Sequence, residues 1–72
     1  MKVLILRTDI GTKKKVEEVK PIFKKLSVVA KWSVDLEDVD NVLRIETTDG
    51  LNERDVINLL GNYGFQCEEL TY

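Results

Sequence analysis

Seventy-two residues make one domain, and a chain of this size buries only roughly 60% of the surface that its unfolded form exposes. With 43% hydrophobic and 33% charged residues, four Gly, one Pro and a formal net charge of −2, the composition separates this chain from disordered tails. The lack of histidine and the single cysteine, Cys67, exclude zinc fingers, His-based catalytic triads, iron–sulfur sites held by one chain and any intramolecular disulfide.

The first segment, Lys2–Thr8 (KVLILRT), is a short β-rich run closed by Asp9-Ile10-Gly11, and it predicts a buried strand with apolar residues on both faces. Its apolar stretch, residues 3–6, falls far short of the roughly 20 residues of a membrane span. Val16, Val19, Ile22, Phe23 and Leu26 then recur at spacings of three and four and form one helical stripe, with Lys and Glu on the other side. Thr12 offers an N-cap oxygen, which places Lys13, Lys14 and Lys15 in the first turn of this helix. Pro21 falls inside it, removes the bond to Glu17 and predicts a kink or break near Lys20.

Residues 28–36 alternate through Trp32, Val34 and Leu36, and residues 42–46 through Leu43 and Ile45, on either side of the acidic turn Glu37-Asp38-Val39-Asp40-Asn41. This is the pattern of a hairpin. After a turn at Thr48-Asp49-Gly50, Asn52 with Asp55 three residues later gives a variant capping box. A second helix follows, carrying Val56, Ile57, Leu59, Leu60 and Tyr63, with Gly61 and Gly64 as candidates to stop it. Residues 65–70 alternate Phe65, Cys67 and Glu69 as a last strand.

The order strand, helix, strand, strand, helix, strand predicts a single α+β domain over residues 1–72. The expected architecture is the ferredoxin-like βαββαβ sandwich, two helices on one face of a four-stranded antiparallel sheet. One sheet face is then free of helices. If Leu4 and Leu6 face the helices, Val3 and Ile5 lie on the open side, an apolar strip suited to a homodimer or a partner.

Three runs carry a family likeness: Val16-Glu17-Glu18-Val19 in the first helix; Val29, Trp32 and Val34-Asp35-Leu36 in the second strand; and Gly64-Phe65-Gln66-Cys67-Glu68 before the last. In these the chain resembles the heavy-metal-associated domain family, the ferredoxin-like modules of copper chaperones and of the N-terminal arms of metal-pumping ATPases, over nearly its whole length. That family binds metal in its first loop through Gly-Met-Thr-Cys-x-x-Cys, whose two thiolates take a soft cation above the packed Met. The corresponding run here is Asp9-Ile10-Gly11-Thr12-Lys13-Lys14-Lys15. The resemblance implies that Ile10 takes the place of the Met and, with Phe65, anchors the loop, and that Cys67 faces the core. Thr12 and Lys15 stand where the two cysteines would be, and neither is a Cu(I) ligand. What the resemblance implies is the family's fold and its docking surface, made of the first loop and the start of helix one, with no metal ligand set and no cofactor.

Charge points to the same place. Residues 1–31 carry nine Lys or Arg against three acids, and residues 32–72 two Arg against ten acids, so the molecule is expected to be a dipole. Lysines in a first turn oppose the helix dipole at about 0.3–1 kcal/mol each, whereas the second helix, with Glu53 and Asp55, obeys the rule. Because local rules tend to fail where function demands it, Thr12, Lys13, Lys14 and Lys15 are the candidate partner- or anion-binding residues. The acidic turn, with Asp35, Glu37, Asp38 and Asp40, lacks the spacing of a calcium loop and is expected to be a solvated turn.

Trp32, Tyr63 and Phe65 are too few and wrongly placed for an RNA-recognition sheet, so no nucleic acid is expected. An acylphosphatase-like enzyme would need an Arg-bearing phosphate loop after strand one, which Lys13, Lys14 and Lys15 imitate only loosely. The expectation is a non-enzymatic, cytoplasmic binding module without membrane insertion, docking a protein with an acidic surface. Two alternatives stand beside it: a copper-chaperone-like metal handler with a degenerate site, or with Cys67 shared by two chains, and a small-anion binder.

Overall fold

The computed structural model describes residues 2–48 and 50–70. Its elements follow the order β1 (Lys2–Thr8), α1 (Lys13–Lys24), β2 (Val29–Val34), β3 (Leu43–Thr47), α2 (Glu53–Asn62) and β4 (Cys67–Glu69). The strands pair antiparallel in one sheet of order β2-β3-β1-β4. Both helices pack on the sheet face that carries Leu4, Leu6, Leu43 and Ile45, where these four side chains, Val19, Val56 and Leu60 are fully buried. This is the expected ferredoxin-like α+β sandwich.

β1 departs from a strand buried on both faces. Leu4 and Leu6 point under the helices, while Val3 is 42% exposed and Ile5 half-buried on the helix-free face. Two helices cover one side of a sheet this size, and the alternation of side chains leaves the other half of an apolar strand outside.

Pro21 does not break α1, which runs unbroken over twelve residues. The proline and Glu17, whose carbonyl loses its partner, are both exposed, so water can take that carbonyl. On the opposite face Val19, Ile22 and Phe23 are buried and hold both halves of the helix to the sheet. α2 starts on the expected capping box, with Asp55 N–H donating to Asn52 Oδ1 at 3.0 Å and Asn52 N–H to Asp55 Oδ2 at 3.1 Å. Of the two glycines proposed to end it, Gly61 lies within the helix and Gly64, at φ 88°, is the stop. Phe65 N–H reaches Leu60 O at 3.0 Å and Gly64 N–H reaches Gly61 O at 3.1 Å, the paired bonds of a Schellman ending. Tyr63, expected on the apolar stripe, is the C-cap and 54% exposed.

β2 and β4 are shorter than their alternation predicts, while β3 keeps its five residues one place further along, at Leu43–Thr47. Asp35 Oδ1 accepts from Glu37 N–H and Asp38 Oδ1 from Asp40 N–H, so side chains take over the backbone donors and end the ladder before Leu36. β4 begins at Cys67 because Phe65 N–H closes α2 and Gln66 N–H goes to Asp9 Oδ1. Of the expected turn at Thr48-Asp49-Gly50, Asp49 lies outside the described residues, as do Met1, Thr71 and Tyr72 of the expected domain.

Candidate functional site

The first loop, residues 9–12, joins β1 to α1 at the sheet end where the β2–β3 and α2–β4 connections also emerge. Ile10 is fully buried and Phe65 is 8% exposed, so both sit in the core as anchors beneath the loop. Polar bonds fix the loop to its neighbours on both sides. Thr8 N–H donates to Asp40 O at 3.0 Å, and Thr8 Oγ1 donates to Asn41 O at 2.7 Å while accepting from Ile10 N–H at 3.1 Å. Asp9 N–H donates to Gln66 O at 3.1 Å and its carboxylate accepts from Gln66 N–H at 3.0 Å. Gly11 passes close to the β2–β3 connection, where a Cβ would meet Asn41 Nδ2 at 3.3 Å.

Thr12 caps α1 as expected, its Oγ1 accepting from Lys15 N–H at 3.2 Å. Lys13 and Lys14 are exposed in the first turn, which contains no acid. Lys15 is half-buried, and its Nζ turns back to donate to Asp9 O at 3.2 Å. The three lysines therefore divide: two ammonium groups face solvent, and the third ties the loop. None of them forms an ion pair among the described residues.

The acidic connection lies beside this basic turn. Asp40 accepts a 2.9 Å bond from Arg7, which also approaches Glu68 at 3.7 Å, while Asp35 and Asp38 take backbone amides as described. Between Arg7, Asp9, Val39 and Gln66 is a shallow polar cavity of about 310 Å³ with Cys67 at its inner wall. Val39 at its lip is 94% exposed, which the sequence pattern, reading a solvated acidic turn, did not flag.

Cys67 itself is 9% exposed. Burial first, and the nearby Asp9 carboxylate second, push its thiol up from 9.0 to about 11, which keeps the sulfur protonated at neutral pH. Thr12 and Lys15 are engaged as cap and loop tie. Among the described residues no three His, Cys, Asp or Glu side chains gather where they could hold a metal ion. No helix there is long and apolar enough to cross a membrane. Trp32 and Phe65 lie on the helix side of the sheet and Tyr63 at the end of α2, so none of these aromatics stands on the helix-free face.

Thr8, Asp9 and Asn41 are the site residues that the sequence did not mark. Their type, short polar side chains at the end of a strand and in a turn, was the available signal. Comparison of the chain with protein-family models, with curated proteins and with solved structures gave no match.

Proposed function

We propose that this chain is a non-enzymatic interaction module that docks an acidic surface of a partner protein through the first loop and the start of α1. The observation that carries this reading is uncompensated charge: Lys13 and Lys14 are exposed at the positive end of a helix dipole, with no acid in that turn and no ion pair among the described residues. α2, with Glu53 and Asp55 in its first turn, avoids this cost. A local cost without a local benefit is what an unfilled docking site leaves behind. The loop's bonds to both neighbouring connections supply a pre-formed surface, and Val39 adds an exposed apolar contact at the same end.

The resemblance to heavy-metal-associated domains supports the same surface, since that family docks its partners there. Metal transport is the weaker reading, because Thr12 and Lys15 occupy the two thiolate positions. Enzymatic use of Cys67 is disfavoured by a thiol held protonated and nearly closed off from solvent. A lone, unpaired cysteine fits a reducing, cytoplasmic setting.

The test is capture from a cell lysate on immobilised chain, run beside the Lys13→Ala, Lys14→Ala, Lys15→Ala triple variant at about 50 mM and about 500 mM salt. The expected result is a partner held at low salt, released at high salt and missing from the variant. Equal capture by the variant would remove the reading.

A further inference from the structure

β2 is an edge strand, and the edge opens into a groove. Between β2 and the C-terminal half of α1 lies a cavity of about 770 Å³ walled by Pro21, Phe23, Leu26, Val29, Ala30 and Trp32. The Phe23 and Trp32 rings stand 5.0 Å apart, tilted by 45°. Asp35 N–H donates to Val42 O at 2.9 Å, which makes these two residues a hydrogen-bonded pair of the ladder. Because such pairs alternate, the backbone groups of Ser33 turn toward β3 and those of Trp32 and Val34 turn outward to the free edge. Edges of this kind are commonly blunted by a proline, an inward charge or a covering segment. β2 has no proline; its one charge, Lys31 across from Glu46 on the helix-free face, and its one register shift, between Val29 and Lys31, both fall in the first half of the strand, so the edge at Trp32 and Val34 is regular.

The surroundings of the edge are basic. Lys20 and Lys24, one turn apart on α1, border the groove together with Glu17, which lies 3.2 Å from Lys20. Lys24 makes no ion pair among the described residues. An occupant must therefore offer backbone groups to Trp32 and Val34, apolar side chains to the groove and, on the helix-free face, negative charge to Lys31.

We propose that the β2 edge takes an extended peptide segment of a partner protein, alternating apolar and acidic residues, which adds to the sheet as a fifth strand. Its apolar residues enter the groove against Phe23 and Trp32, and its acidic residues, which alternation puts on the helix-free face, lie beside Lys31. Main-chain bonds give the affinity, and the groove with its basic rim gives the selection. This surface lies toward the other end of α1 from the first loop, so the proposal goes beyond that docking reading and stands without it.

The probe is a blocked heptapeptide alternating Glu and Val, titrated into the full chain. Trp32, the only tryptophan, reports by its fluorescence, and backbone amide shifts locate the contact. The expected result is a saturable Trp32 change with shifts confined to β2 and residues 20–26, weakened about tenfold in Lys31→Glu, an exposed position. Two N-methylated peptides, one for each alternate set of amides, complete the test without altering the protein. Strand addition requires that one of them fail to bind and the other bind. No change at about 1 mM peptide, shifts at residues 9–15 instead, or equal binding by both methylated forms would overturn the proposal. So would peptide-independent, concentration-dependent broadening of the β2 amides, which would show a second copy of the chain on this edge.

Discussion

Cys67 owes its chemistry to its position rather than to its type. It sits opposite Thr8 at the start of β4, where the strand has already turned its side chain into the core. With the thiol at about 11, the thiolate fraction at pH 8 is about a hundredfold below that of a thiol at 9.0. The native chain should therefore react with a thiol probe at pH 8 at least about a hundredfold more slowly than the urea-unfolded chain. Equal rates would show an open, ionised thiol and restore Cys67 as a possible ligand. The folded value lies above the unfolded one, so the stabilisation that goes with the neutral thiol is complete below pH 9 and is lost as pH rises through about 11. Cys67→Ala should flatten that part of the stability curve. The core places of Ile10 and Cys67 were expected from the family resemblance and not from a period, since Ile10 lies in a loop where no alternation fixes a side. Thr8 and Asp9 were not legible in the sequence, because their bonds to Asn41 and Gln66 span 33 and 57 positions and exist only once the chain has folded.

The two helices start under opposite rules. α2 begins with a reciprocal capping box and two acids, α1 with a single threonine cap and three lysines. If the lysines serve docking, stability and binding pull in opposite directions there. Lys13→Glu and Lys14→Glu should each raise stability by about 0.3–1 kcal/mol, measured by urea denaturation, while partner capture falls. A variant that is destabilised would show that these lysines already have a compensating interaction within the fold, and the docking argument would lose its premise. At this scale the periodic patterns gave element type and order reliably, since burial of one face selects a period of 3.6 or 2. Element ends were read less well. The carboxylates of Asp35 and Asp38 ended β2 early, Asp9 shortened β4, and packing of Val19, Ile22 and Phe23 carried α1 across Pro21.

Across the whole molecule, the two halves of the sequence are not two poles. β1 ends and β3 begins at the same end of the sheet, so the fold sets the acidic 35–42 connection beside the basic first turn of α1 and ties Asp40 to Arg7. A partner approaching this end meets both signs of charge, with Lys13 and Lys14 projecting on the α1 side and Val39 on the other. The same arrangement decides how the chain should respond to a soft cation. Cu(I) selects soft sulfur ligands, and the one cysteine sulfur is nearly buried and held as the neutral thiol, beneath a loop whose Lys15 ammonium is turned back onto Asp9 O. Sharing Cys67 between two chains would need that side chain at the surface, against the burial that its place in the core provides. Titration of the reduced chain with Cu(I), and separately with Zn(II), should therefore leave the amide signals of residues 9–15 and 64–67 unmoved at equimolar metal. Shifts confined to those residues and saturating at about micromolar metal would mean that the loop opens to expose the thiol, and would favour the metal-handling alternative over the docking proposal.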